Sequence, residues 1–534
     1  MRRSKLHVAS ALTAAIGLAV AGGAQPQPVK DGGTFRIAFP ADRVESIDPF
    51  LDNFPPMQYV FQATCASLLN LRDVALPAGN VFVPELAESL PEISNRAKTY
   101  TFTVRRGYRF STGAPVTVRD VASTVRRALR LKGSWAAPGF MNVVGARAFM
   151  QRRASTLTGV RVVANRISFR LKKPQPDFVS YAGTLCVLPA GIPLDAEGAR
   201  APVPSAGPYT LTEYVAGRRI LVERNRFYSG PRPHHVDRFE ITLVDDQTSL
   251  IEDVERGTYD WMWTLGHLWS PHVPRLVARY GVNRGRFRVT PDLGMCMLTL
   301  NAARPLFRNN PKLRRAVNYA IDRRALAREW GPRRAVPNDQ YLLPARDAFR
   351  GARIYPFRPD VPKARALARG NRRSAIAVFY TRDDLVGRAH GAIVRANLAE
   401  IGLTVEVRPL PSHVLFETQQ RGGSFDIGWI CWSNSLSVGL DLHWMFDGRT
   451  LDQRRHGNYS RFDSRRVNRR LDEVARLLGP AFDRAYGDLD VELARDYAPA
   501  VAYAHLNAME LVSARTGCVV VRPTLDLAAV CLRE

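Results

Sequence analysis

The stretch Ser205–Tyr228, SAGPYTLTEYVAGRRILVERNRFY, dictates its own local fold. Tyr209, Leu211 and Glu213 alternate with Thr210, Thr212 and Tyr214, and a second strand-like run, Arg219–Arg224, follows a turn at Ala216-Gly217. Successive strand side chains point to opposite faces, so this pattern predicts a half-buried antiparallel hairpin. Gly207-Pro208 sets a turn at its entrance. A chain with such a hairpin near its middle must carry a sheet there. Its 534 residues also exceed the size at which one core stops growing, so two or three lobes are expected. A hydrophobic share of 46%, with 24 Phe, 17 Tyr and 8 Trp, places the chain among folded globular proteins.

Other segments mix strands with helices. Gly32–Phe39 reads as a first strand, Pro40–Pro56 as a loop and Met57–Leu69 as a helix. Tyr100, Phe102 and Val104 alternate as in a strand, and so do Ile167, Phe169 and Leu171. Thr117 and Asp120 form a capping-box pair, after which Val121, Val125, Ala128 and Leu129 keep helical spacing. A strand at Phe239–Val244 and a helix at Thr248–Gly257 follow the hairpin. Asn310 before Pro311 starts a helix that should run to about Glu329. Ile376–Tyr380, Gly387–Ile401 and Leu403–Val407 read strand, helix, strand, as in an α/β lobe. Gly422–Trp432 is expected as a strand, Arg465–Leu478 as a helix, and Cys518–Val521 and Leu525–Leu532 as strands.

The first 24 residues read as an export leader. Arg2, Arg3 and Lys5 precede a short apolar run, Val8–Ala21, and small residues at Gly22-Gly23-Ala24 suit cleavage. The run is shorter than the roughly 20 apolar residues a membrane span needs. No cysteine follows it, so a soluble, exported chain without a lipid anchor is expected, by the general secretion route.

The formal charge is +27 from 76 basic and 49 acidic residues, and +24 without the leader. Only eight of the basic residues are Lys, and the Arg residues are spread along the chain. That spread favours a solvated surface over a field for anionic ligands or an anionic membrane, and it excludes a nucleic-acid footprint. Six cysteines, Cys65, Cys186, Cys296, Cys431, Cys518 and Cys531, contain no C-x-x-C pair, and export favours disulfides. Their pairing stays open to arithmetic. No nucleophile elbow, zincin motif, P-loop or dinucleotide fingerprint occurs. Asp245-Asp246 and Asp472-Glu473 are adjacent pairs that read as caps or surface. His234-His235 sits in a Gly/Pro-rich loop and reads as surface. The chain is therefore read as non-catalytic and free of metal and cofactor. An exported hydrolase, or a binding protein without a transport role, is the alternative.

Several further stretches carry a family resemblance. Pro84–Leu90 (PELAESL), Thr99–Gly113 with Pro115-Val116-Thr117 and Asp120-Val121, and Gly207-Pro208-Tyr209 with Arg224-Asn225 and Tyr228 are three of them. Asn301, Pro305, Phe307, Leu313–Val317, Tyr319–Arg323, Asn458-Tyr459-Ser460 and Asp496–Pro499 continue the series. In this order they resemble the extracytoplasmic solute-binding proteins, family 5, which serve peptide- and nickel-type ABC transporters. The resemblance implies an α/β, two-lobed periplasmic-binding-protein fold of type II, with an inserted subdomain and a ligand cleft between the lobes. Residues 31–52, 187–292 and 508–534 would form lobe I, 53–186 the inserted subdomain and 293–507 lobe III.

It further implies a periplasmic monomer that binds a peptide-like or other small polar solute and delivers it to permease subunits. The ligand-binding positions carried over are Asn53, Ser205, Gly207, Tyr209, Trp429, Trp432, Ser433, Asn434, Ser435 and Asp441. Peptide-binding members of the family place a carboxylate after the Gly-Trp of the cleft strand to receive the ligand's ammonium. Here Ser433, Asn434 and Ser435 stand at that place, and the first carboxylate after Trp432 is Asp441. Asp441 would receive the ammonium from a shifted loop, or neutral hydrogen bonds would hold a different solute. Trp429 and Trp432 do not share a strand face, so one of them is expected in the cleft. His443 is the histidine best placed for a ligand contact. The disulfides implied are Cys296–Cys431, Cys518–Cys531 and Cys65–Cys186.

Overall fold

The computed structural model describes residues 29–52, 55–75, 78–175, 177–193, 198–264, 269–372, 374–433, 438–452, 456–522 and 525–534. The chain opens with β1 (Val29–Lys30) and β2 (Thr34–Pro40). Helix Met57–Thr64 follows, five residues shorter than its sequence pattern suggests. It stops because Cys65 is extended and tied to Cys186, and the chain continues into β3 (Leu69–Leu71). β3 pairs with β4 (Phe82–Pro84).

The next unit is a four-stranded sheet in the order β5 (Glu92–Ser94), β6 (Thr99–Thr103), β8 (Arg166–Arg170), β7 (Val160–Val163). One face carries Tyr100, Phe102, Ile167 and Phe169, which pack against helix Val118–Arg130. The backbone N–H and hydroxyl of Thr117 both donate to Asp120 at 2.7 Å, which closes the first turn of that helix.

The central hairpin forms from β9 (Tyr209–Val215) and β10 (Arg219–Arg224), with Gly217 at φ +67° in its turn. Opposite Leu221/Val222 the register slips by one residue of β9, so Tyr209 and Leu211 are buried while Glu213 is half-buried. β11 (Arg238–Val244) and β12 (Trp261–Met262) complete a five-stranded sheet, in the order β12-β2-β11-β10-β9.

Two long strands, β13 (Phe287–Leu300) and β18 (Ala500–Leu511), pair antiparallel along their length. They form the middle of a six-stranded sheet with β14 (Ala335–Pro337), β15 (Ile376–Arg382), β16 (Thr404–Leu410) and β17 (Ile427–Ser433). Two cores cover its faces: Leu298, Phe379 and Trp429 mark one, Met295, Ile430 and Tyr486 the other. The helix begun at Pro311 ends at Ala320 and a new one runs Arg323–Arg328. Asp322 causes the break, because it caps the second helix by accepting the Ala325 N–H at 2.8 Å.

The C-terminal strands are shorter than their sequence suggests. Among the described residues only β19 (Thr516–Gly517) and β20 (Cys531–Arg533) form there, with an isolated bridge between Val521 and Leu525. Cys518 takes φ +53°, and Asp526 accepts the Ala528 N–H in a tight turn, so neither position continues a strand. β20 pairs with β1 and β19. The bonds Cys65–Cys186, Cys296–Cys431 and Cys518–Cys531 are all formed.

Candidate functional site

The candidate site lies where the inserted unit meets the lobe of the six-stranded sheet. Asn80, between β3 and β4, donates to the carbonyl of Ala345 at 3.5 Å across this junction. Tyr341, Leu342, Leu343, Ala345 and Ala348 are all buried, which pins the loop and holds the Arg346 side chain fully inside. Asp441, in helix Val438–Phe446, places Oδ2 3.9 Å from an Arg346 nitrogen. That separation is too long for a hydrogen bond. Among the described residues Asp441 Oδ2 accepts none.

Burial pushes the Asp441 carboxyl up to about 7; Arg346 opposes the shift, while Asp177 and Asp490 add to it. Burial likewise lowers the Arg346 guanidinium, and Asp441 resists that shift. Asp177 and Tyr181, just before and within helix Phe178–Gly183, are close enough to Asp441 for their charges to be felt from the inserted unit. The Tyr181 phenol is raised by burial and then by Asp177 and Asp441, so it stays a proton donor. Tyr486 supports the Asp441 helix by accepting the Leu442 N–H at 2.9 Å, and its ring stacks with His443. The junction thus offers a carboxyl group poised between two protonation states, a guanidinium and a phenol. Such a set can receive N–H donors from a ligand and orient its charged end.

The residues singled out from the sequence fall in different places. Asn53, Asn434 and Ser435 lie outside the described residues, and for Trp432 and Ser433 only the strand backbone is described. Trp429 is 2% exposed, donates its indole N–H to the Tyr503 hydroxyl at 3.0 Å and stacks on Trp330. It lies on the sheet face opposite Ile430 and the core beside Asp441. Ser205, Gly207 and Tyr209 hold the seam between the hairpin and the inserted unit. The Tyr209 hydroxyl donates to the Val236 carbonyl at 3.2 Å, and Ser205 Oγ to the Tyr209 carbonyl at 3.2 Å. A Cβ on Gly207 would lie 2.4 Å from the Thr64 carbonyl oxygen, so only glycine fits there. Beside Ser205 and the Cys65–Cys186 bond is a cavity of about 20 Å³, room for one water. Arg346, Asp177 and Tyr181 carry no local sequence signal. Only the fold brings them to Asp441.

Strand β13 carries a bulge in its pairing with β18. Pro291 of β13 pairs with Asn507, and Met295 with His505, so Asp292, Leu293 and Gly294 together oppose Leu506 alone. This bulge sits between the half of β13 that pairs near the five-stranded sheet and the half inside the six-stranded one. Asp292 there lies 3.8 Å from Arg334. Glu510, on β18, accepts the Trp261 indole N–H at 2.6 Å, and burial pushes its carboxyl up to about 8.

Two α/β units joined by a paired, bulged ribbon, with a buried polar junction where they meet, are an arrangement in which binding proteins hold a solute. The family model for bacterial extracellular solute-binding proteins, family 5, matches residues 81–451, and this chain belongs to that family. Oligopeptide-binding protein OppA of Mycobacterium bovis is 24% identical over 508 residues, which span 88% of this chain and 79% of its own length. OppA of Bacillus subtilis is 24% identical over 378 residues, 66% of this chain and 68% of its own. Among solved structures, clavulanic acid biosynthesis oligopeptide binding protein 2 superposes with a TM-score of 0.85 at 24% identity, covering 95% of this chain and 97% of its own. DppA from Helicobacter pylori, in complex with the peptide STSA, gives 0.72 at 17% identity, covering 95% and 99%. The fold is therefore the type II periplasmic-binding-protein fold, and the protein is an extracellular solute receptor. Among the described residues no helix is long and apolar enough to cross a membrane.

Proposed function

We propose that this chain is the receptor of an ABC importer, that it captures a peptide or peptide-like solute between its lobes, and that it passes the solute to membrane permease subunits. The observation that carries this reading is the buried Asp441 carboxyl at the lobe junction, whose Oδ2 accepts no hydrogen bond among the described residues. It supports a site that completes its hydrogen bonds with a ligand. The relatives' names and the peptide held by the Helicobacter protein support the peptide class. In our reading Asp441 receives the ligand's ammonium, with Arg346, Asp177 and Tyr181 near it, and Trp432, Ser433, Asn434 and Ser435 are kept as further candidate contacts. Ser205, Gly207, Tyr209 and Trp429 position these elements without reaching the solute, and Asn53 is kept as a further candidate contact.

The same reading keeps residues 1–24 as an export leader and the mature chain as a periplasmic monomer without cofactor or catalysis. Residues 31–52, 187–292 and 508–534 are one lobe, 53–186 the insert and 293–507 the other lobe. A ligand that binds only the folded state raises its melting temperature, by about 2.7 kcal/mol of stability at a hundred times Kd. Thermal scans with short-peptide pools, sugars and anionic metabolites test the class. A rise with peptides only is expected. A rise with sugars or metabolites alone would remove the peptide reading, and turnover of the ligand would favour the hydrolase.

A further inference from the structure

We propose that the outer face of the four-stranded sheet docks on an anionic lipid surface. From Val121 to Lys173 the chain carries twelve Lys and Arg residues and no Asp or Glu, although the whole chain has 49 acids. The strand register gathers part of this charge on one face. Arg161 pairs with Ser168, Val163 with Arg166, and Arg170 with Thr99, and these side chains alternate with the buried Phe169, Ile167 and Tyr100. They therefore share the face turned away from helix Val118–Arg130. Arg161, Arg166 and Arg170 are exposed, and Val163 among them is 53% exposed.

Only Arg166 has a carboxylate partner there, Glu92 on the outer strand β5, at 2.5 Å. Among the described residues no carboxylate bridges Arg161 or Arg170. Exposed arginines on other strands are matched, as in Arg219–Glu213 on the hairpin and Arg408–Glu406 on β16. The hydroxyls between the arginines satisfy one another, Thr101 Oγ1 and Ser168 Oγ being 2.9 Å apart. The face thus carries exposed guanidinium groups around an apolar residue, with Glu92 at its outer edge as the carboxylate bridging one of them. Phosphate headgroups with acyl chains below them fit that chemistry.

Co-sedimentation of the mature full chain with phosphatidylcholine vesicles, with and without phosphatidylglycerol, tests this. Wild type should bind the anionic vesicles and release them as salt rises. The variant Arg161→Glu/Arg166→Glu/Arg170→Glu should lose binding by about tenfold or more. Three exposed arginines elsewhere serve as the charge-matched control, Arg218→Glu/Arg284→Glu/Arg324→Glu, which should bind like wild type. Equal melting temperatures show that both variants fold, and the milder triple Gln variant serves if the Glu variant does not. Equal losses in both variants mean that overall charge drives binding, and overturn the proposal. So does wild-type chain that ignores the vesicles. Retention on polyglutamate without vesicle binding would assign the face to an acidic protein and also overturn it.

Discussion

Two buried ion pairs tie distant segments of this protein together, and they are built differently. Arg127 reaches Asp48 with two nitrogens, at 3.1 and 2.5 Å, and Asp48 also accepts the Phe50 and Ala199 N–H groups at 2.9 and 2.7 Å. Arg346 and Asp441 are as deeply buried but stand 3.9 Å apart, and Asp441 Oδ2 has no hydrogen bond among the described residues. Burying an ion pair costs several kcal/mol of hydration, which only good geometry and further hydrogen bonds recover. The first pair meets that condition inside the chain and fastens the insert to the first lobe. The second stands apart from it, and in our reading a solute's N–H groups would complete the Asp441 carboxyl.

The contrast can be broken by three experiments, given from the largest expected effect to the smallest. Asp48→Asn leaves Arg127 buried without its counter-charge and should cost about 3–5 kcal/mol of unfolding free energy in denaturant titrations. Asp441→Asn should instead leave stability at pH 8 unchanged or higher, because the neutral amide removes a carboxylate whose ionised form is disfavoured by burial. Its effect should appear in calorimetric affinity for a free-amine peptide, as a loss of about 1.5–3 kcal/mol. If Asp441→Asn destabilises as much as Asp48→Asn, the junction is merely structural. The third test is pH. The Asp441 carboxyl is raised to about 7 from its ordinary 3.8, so the folded state holds a proton that the unfolded chain has released. That contribution is complete below pH 4 and is lost as pH rises through 7. Asp490 at about 7 and Glu510 at about 8 act with the same sign. Melting temperature should therefore fall from pH 5 to pH 8, and Asp441→Asn should flatten part of the slope. A slope unchanged in the variant would separate Asp441 from this behaviour.

What could be read in advance was what neighbours in sequence decide. The hairpin, the Thr117–Asp120 closure and the Asn310 cap each rest on hydrogen bonds or alternation within a few residues. The family resemblance supplied the disulfide pairs, which spacing could not. Asp322 was legible as a second cap, yet the apolar rhythm of Val317, Ala320 and Ile321 hid it. Arg346 was not legible, because its meeting with Asp441, Asp177 and Tyr181 depends on the docking of two units. Arginine counts likewise suggested an even spread. The acid-free run was there to be counted, but its single face emerges only when β7 and β8 are in register.

The first sheet has one more property, which concerns time. β2 and β12 come early in the chain, yet Trp261 gives its indole N–H to Glu510, and Asp260 is bonded by Ser513 and Arg515. β1 likewise waits for β20, Val29 lying opposite Arg533. As the chain is made, its leading lobe lacks these closing partners until nearly the last residue appears. Before that, Asp260 is held by Arg36, whose backbone N–H it accepts at 2.8 Å, without its Ser513 and Arg515 partners. Closing this sheet needs contacts between residues 249 positions apart, so it is completed later than the local hairpin Tyr209–Arg224.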